Sequence, residues 1–142
     1  MSNYTKFIFL IFISILINSC AEHIVESTPS IIDKQNQDKV LAKFSSIQDR
    51  VLNLSCAVSG CHNGTTFPNL SEGGAYANIV GVTGSSGQNL IEPGDANNSY
   101  LYLKIVGASG IFGDQMPKGQ DPLPGEVIDS IKMWIDNGAL NN

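Results

Sequence analysis

Apolar residues are distributed along the chain in a way that separates a leader from a helical body. From Phe7 to Ile17 the run is almost continuously apolar. After a polar stretch, Phe44, Ile47, Val51 and Leu54 recur at spacings of three and four, which is one face of a helix. Ser45 or Ser46 is the expected cap, with Gln48 or Asp49 as its reciprocal partner, and the helix runs into Cys56. A short helix is expected over Gly74–Val80, followed by a Gly- and Ser-rich loop over Gly81–Asn89. Glu92-Pro93-Gly94-Asp95 reads as a turn, with Asp95 or an adjacent Asn capping a helix through Tyr100–Ile105. A second loop, Gly107–Pro122, contains Met116-Pro117. The last helix starts around Pro124, a residue suited to a first turn. Val127, Ile128, Ile131, Trp134 and Ile135 line one of its faces, and Asn137-Gly138 ends it. No repeat and no alternating strand pattern is present, so the expected class is all-α.

The leader has one lysine, Lys6, ahead of the apolar run. Eleven residues from Phe7 to Ile17 fall short of the roughly 20 that cross a bilayer, so a signal peptide fits better. It ends in Ile17-Asn18-Ser19-Cys20, which resembles the lipobox of bacterial lipoproteins. That resemblance implies a lipid on Cys20 and cleavage just before it. The competing reading is an ordinary secretory signal cut elsewhere, with Cys20 incidental. Either reading places the mature chain outside the cytoplasm, in the bacterial cell envelope. Ala21 stands where an aspartate would mark inner-membrane retention, which favours the outer membrane. The expected organisation is a signal peptide over 1–19, a lipidated tether over 20–43 and a domain over 44–142. His23 lies in the tether, as an exposed linker residue.

Composition narrows the picture further. The 142 residues suffice for one domain with one core. Only 15% of them are charged, which excludes a solvated tail or a coiled coil. The net charge of −5 repels a phosphate backbone, so nucleic acid is excluded as a partner.

The ligand inventory is small: three cysteines and two histidines. Cys56, Cys61 and His62 cluster at the end of the first expected helix. Cys-x-x-Cys-His is the signature of c-type haem attachment. Two thiols must meet the two vinyl groups of one porphyrin edge, and the next residue must turn its imidazole under the iron. Here the spacer is four residues, Ala57-Val58-Ser59-Gly60, in place of two. The surplus has to loop outward, and Gly60 supplies the backbone freedom.

Further motifs follow in order: Val51-Leu52, Glu92-Pro93-Gly94-Asp95 with Ser99-Tyr100-Leu101, Met116-Pro117, and Trp134-Ile135-Asp136-Asn137-Gly138-Ala139. The series resembles the cytochrome c-like domains of the planctomycete-type family over roughly residues 45–140. The resemblance implies a small cytochrome c-like fold with one haem c wedged between helices and loops. It implies covalent attachment at Cys56 and Cys61, with His62 and Met116 as axial ligands of the iron. Trp134 would pack where the last helix crosses the first. Elimination also favours Met116: a second axial ligand must be His, Met, Cys, Tyr or similar, His23 is in the tether, and Met133 sits beside Trp134 on an expected packing face. Tyr76, Tyr100, Tyr102 and Arg50 are within the chemistry a propionate accepts, although packing or solvent exposure accounts for each.

Other classes compete less well. A zinc site at Cys56, Cys61 and His62 lacks further strong ligands. A hydrolase lacks a separate base, because the only histidine of the domain adjoins Cys61. A haem peroxidase needs the distal position that Met116 would close. A haem-free binding lipoprotein with a Cys56–Cys61 disulfide leaves His62 and the Met-Pro loop without a role. The expected function is therefore a lipid-anchored mono-haem electron carrier, not an enzyme, with other extracytoplasmic redox proteins as partners. Replacing Cys20→Ala should abolish incorporation of labelled fatty acid and leave an uncleaved or misprocessed precursor on a gel. Wild-type protein that takes up no label would overturn the lipobox reading.

Overall fold

The computed structural model describes residues 39–142. The expected signal peptide and most of the tether, with Cys20 and His23, lie outside the described residues. Helix α1, Phe44–Ile47, continues directly into a π-helical segment, Gln48–Cys56. Helix α2 is Ala75–Ile79, a single 3₁₀ turn covers Ala96–Asn98, α3 is Tyr100–Val106 and α4 is Gly125–Asp136. Two isolated bridges, Val80 with Ile91 and Thr83 with Asn89, close the Gly/Ser loop. No named strand occurs among the described residues, and the class is all-α. None of the described helices is long and apolar enough to cross a membrane.

Phe44 organises the core. Its ring meets Tyr76 of α2 edge-on at 5.1 Å and Trp134 of α4 at 5.6 Å between centroids. Trp134 is buried and packs α4 onto the start of α1, as expected. Ile79, Ile91, Ile131, Ile135 and Val51 fill the space around this cluster and are almost fully buried. Ahead of α1, Val40 is also in the core, and its carbonyl accepts a 2.9 Å bond from the Ser130 hydroxyl of α4.

Neither Ser45 nor Ser46 caps α1. Lys43 occupies the cap position without a side-chain bond. The free amides are met from the far end of the chain: Phe44 N–H donates to Asn142 Oδ1 and Ser45 N–H to the Asn142 carbonyl, both at 2.9 Å. Ser46 is buried, and its hydroxyl accepts from the Leu41 amide at 2.9 Å.

The expected apolar face of this helix also shifts. Bonds of the i→i+5 type place more residues in each turn than an α-helix does. The buried set therefore moves to Ile47, Gln48, Val51 and Leu52, and Leu54 is left 69% exposed.

The Glu92–Asp95 turn docks on the end of α4. Gly94 N–H donates to the Ile135 carbonyl at 2.8 Å, and Ala96 N–H donates to Asp136 Oδ1 at 3.0 Å. Asp95 accepts from Asn98 N–H at 3.1 Å and so caps the separate 3₁₀ turn, not the expected helix; α3 begins after Ser99 with no side-chain cap. Ser99 is fully buried; its hydroxyl donates to the Asp95 carbonyl and accepts from the Glu92 amide, each at 2.8 Å.

Met133 does not pack as expected: it is 57% exposed. Successive helical residues are turned by about 100°, so the stripe of Ile131, Trp134 and Ile135 leaves Met133 outside. These burials predict opposite outcomes along α4. Ile135→Ala should cost about 2–5 kcal/mol, and Met133→Ala about 0.5 kcal/mol or less. Urea midpoints at unchanged slope check both; comparable losses would contradict the packing.

Candidate functional site

The Cys–His turn grows out of the π-helical segment. Its last bond runs from Ala57 N–H to the Leu52 carbonyl at 2.7 Å. The chain then doubles back, so that His62 N–H donates to the Cys56 carbonyl at 3.1 Å. The spacer between the cysteines forms the loop of this turn. Gly60 takes φ +79, with nothing within 4 Å of the position a side chain would fill. Cys56 is half-buried, Cys61 is exposed, and both are free thiols.

His62 is half-buried, and its Nδ1 lies 3.0 Å from the Pro68 carbonyl. A carbonyl only accepts, so this contact places the proton on Nδ1. In the neutral ring the lone pair is then on Nε2. Metal-binding histidines are commonly held in this way, with the other ring nitrogen bonded to a backbone carbonyl. The supporting loop is fixed by further bonds. Thr66 N–H donates to the Cys61 carbonyl at 3.1 Å, and Leu70 N–H to the His62 carbonyl at 2.7 Å. Gln48, buried in the π-helical segment, donates from Nε2 to the Leu70 carbonyl at 3.0 Å and to Asn53 Oδ1 at 2.7 Å. A continuous path thus leads from Gln48 through Leu70 and His62 back to Cys56.

Burial pushes the Cys56 thiol up to about 11 from the usual 9.0, and the neighbouring Cys61 adds to the shift. Removing a thiolate from water is unfavourable, and a second sulfur anion nearby makes it more so. Cys56 is therefore held as the neutral thiol at neutral pH, and Cys61 is the better exposed of the two.

Met116 belongs to a separate group built on α3. Its N–H donates to the Lys104 carbonyl at 2.9 Å, and Gln115 Nε2 donates to the Ile105 carbonyl at 2.8 Å. Lys104 Nζ donates to the carbonyls of Phe112 and Asp114, and Phe112 N–H donates to the Tyr100 hydroxyl at 3.0 Å. Gly107 ends α3 at φ +64, and a Cβ there would lie 2.6 Å from Gln115 Oε1. The loop's seat against the helix thus requires glycine. Met116 is half-buried and lines an open cavity of about 410 Å³ whose other walls come from Asp114–Gln120 and Pro122. Cys56, Cys61 and His62 do not line it. The structure therefore gathers the two thiols and the imidazole in one turn, and places Met116 on a second, independently braced loop.

The remaining candidates are engaged elsewhere, exposed or, for Tyr102, half-buried. The Tyr76 hydroxyl donates to the Ala139 carbonyl at 2.9 Å, Tyr100 braces Phe112, and Arg50 is exposed. Among the described residues, no group of three or more His, Cys, Asp or Glu is arranged to hold a metal ion. Pro68, Gln48 and Lys104 carry positioning roles that spacing does not announce, because two act through backbone carbonyls and the third is an ordinary polar residue until its burial is known. No family model matches the chain, and neither curated proteins nor solved structures give a match.

The thiol environments predict a labelling order. In haem-free reduced protein, iodoacetamide should modify Cys61 well before Cys56, as read by peptide mass. The raised Cys56 value also has a pH consequence. Between the unfolded value of 9.0 and the folded value of about 11, the unfolded chain has lost this proton and the folded chain keeps it. Stability contributed by the neutral thiol is thus full below pH 9 and declines as pH rises through that window. Urea titrations of wild type and Cys56→Ala should diverge there; parallel curves would refute the burial effect.

Proposed function

We propose that the protein is a lipid-anchored mono-haem c-type cytochrome of the bacterial cell envelope, carrying single electrons outside the cytoplasm. The observation that carries this reading is the His62–Pro68 contact beside two free thiols. It orients an imidazole with Nε2 available, directly after the second of two cysteines, which is the donor set a covalently held haem requires. Cys56 and Cys61 would hold haem c through thioethers, with His62 as one axial ligand and Met116 as the other. Bound haem supplies reversible one-electron chemistry between ferric and ferrous iron. A methionine ligand favours the ferrous state and raises the potential.

The chain's own residues supply position and an apolar setting. Gln48 and Leu70 hold the His62 backbone, and Pro68 fixes the imidazole tautomer. Lys104 and Gln115 hold the Met116 loop against α3. Leu54, Phe67 and Phe112 are 69, 57 and 88% exposed. They lie close in sequence to Cys56, to Pro68 and to Met116, and large apolar side chains there suit the flank of a porphyrin. The cytochrome c-like fold and the family resemblance belong to this proposal. So do the outer-membrane location and a redox protein as partner.

Protein matured in a haem-competent periplasm should keep its haem on a denaturing gel and gain the mass of one haem. A polypeptide mass lowered by two hydrogens, with no haem, would instead establish the disulfide-bearing binding lipoprotein. Met116→Ala should turn the ferric form toward high spin, let the ferrous form bind carbon monoxide, and lower the potential. Met133→Leu should leave all three unchanged. The reverse pattern would transfer the ligand role to Met133.

A further inference from the structure

Two Asn-Gly pairs occur among the described residues, Asn63-Gly64 and Asn137-Gly138, and the structure treats them differently. Asn-Gly is the pair most open to intramolecular attack of a backbone amide nitrogen on the preceding side-chain amide, because glycine sets no steric barrier. Gly138 is protected. Its N–H donates to the Ile135 carbonyl at 2.9 Å, and Asn137 N–H donates to the Met133 carbonyl at 3.0 Å, so both amides are held in the C-terminal turn of α4.

Gly64 has no such bond: its N–H donates to no acceptor among the described residues. Its φ is +101, and only the Asn69 amide comes within 4 Å of its missing side chain. Asn63 is exposed, and its Oδ1 accepts a 2.9 Å bond from the Thr65 hydroxyl two residues on. That bond ties the Asn63 side chain to the residue on the other side of Gly64. It also directs a donor at the oxygen on which negative charge develops when Cγ is attacked, the arrangement that stabilises a tetrahedral oxyanion.

We propose that Asn63-Gly64 is a site of spontaneous deamidation, promoted by the Thr65 hydroxyl, and that Asn137-Gly138 is not while the protein is folded. The Gly64 nitrogen gives its proton to solvent base and bonds to Asn63 Cγ. The Cγ–Nδ2 bond breaks, and ammonia leaves after taking up a proton. Water then opens the five-membered imide at either carbonyl, giving aspartate or isoaspartate at 63. The net change is amide plus water to carboxylic acid plus ammonia. The product sets a carboxylate one residue from His62. On the haem reading above, that charge favours ferric iron and lowers the potential; the amide-to-acid change itself is read without haem.

The test is incubation of folded, full-length protein at mildly alkaline pH, followed by peptide mapping that separates aspartate from isoaspartate. Acid products at 63 with intact amide at 137, and products at both sites in urea, support the proposal. Persistence of the Asn63 amide in folded protein, or equal conversion at both sites without denaturant, overturns it. Thr65→Val should slow conversion at 63 in folded protein and leave the rate in urea unchanged. An unchanged folded rate would overturn the role of the hydroxyl. Asn63→Gln, which removes the favoured ring size, should abolish the product.

Discussion

The structure depends on the burial of one ring. Phe44 stands at the first turn of the helix that leads to Cys56, and it is clasped by Tyr76 and Trp134. Aromatic pairs at such separations add to the gain from area burial and fix relative orientation. The polar ends of the two partners do further work: Tyr76 donates to the Ala139 carbonyl and Trp134 Nε1 to the Leu140 carbonyl at 2.8 Å. The C-terminal residues are thereby drawn across the start of α1, where Asn142 meets two free amides. One cluster thus joins α1, α2, α4 and the chain end, and it sets the direction in which the π-helical segment delivers the Cys–His turn.

That turn is local in sequence. The bonds that shape it connect Gln48, Cys56, His62, Pro68 and Leu70. The Met116 loop is equally local, braced by Tyr100, Lys104 and Ile105 of the helix before it. Each half carries its own framework, and the core alone relates the two.

Much of this was legible in the sequence, and the failures have physical causes. Helix α4 has a clean apolar stripe, a proline before its first residue and Asn-Gly after its last, so pattern, cap and terminator agree. The first helix was legible as a helix but not in its winding. A period of 3.6 put Leu54 inward, and the i→i+5 ladder put it outward. The cap of α1 was illegible because the acceptor of its first amides, Asn142, is 98 residues from Phe44. Met133 was misplaced because adjacency to Trp134 along the chain is separation around a helix. Cys56, Cys61 and His62 stood out by rarity and spacing. Pro68 did not, since what it offers the imidazole is a carbonyl that every residue possesses.

The ion pairs have a consequence at long range. Lys118 with Asp114, in the loop after α3, and Lys132 with Asp136, on α4, are each four residues apart, and each nearly cancels its own charge beyond a few ångströms. Outside these pairs eleven acidic residues stand against six basic ones, which leaves the net charge of −5. Viewed from a Debye length away, the molecule carries a net negative charge. Diffusional encounter with a basic surface is accelerated by such a field, encounter with an acidic one is slowed, and added salt diminishes both effects.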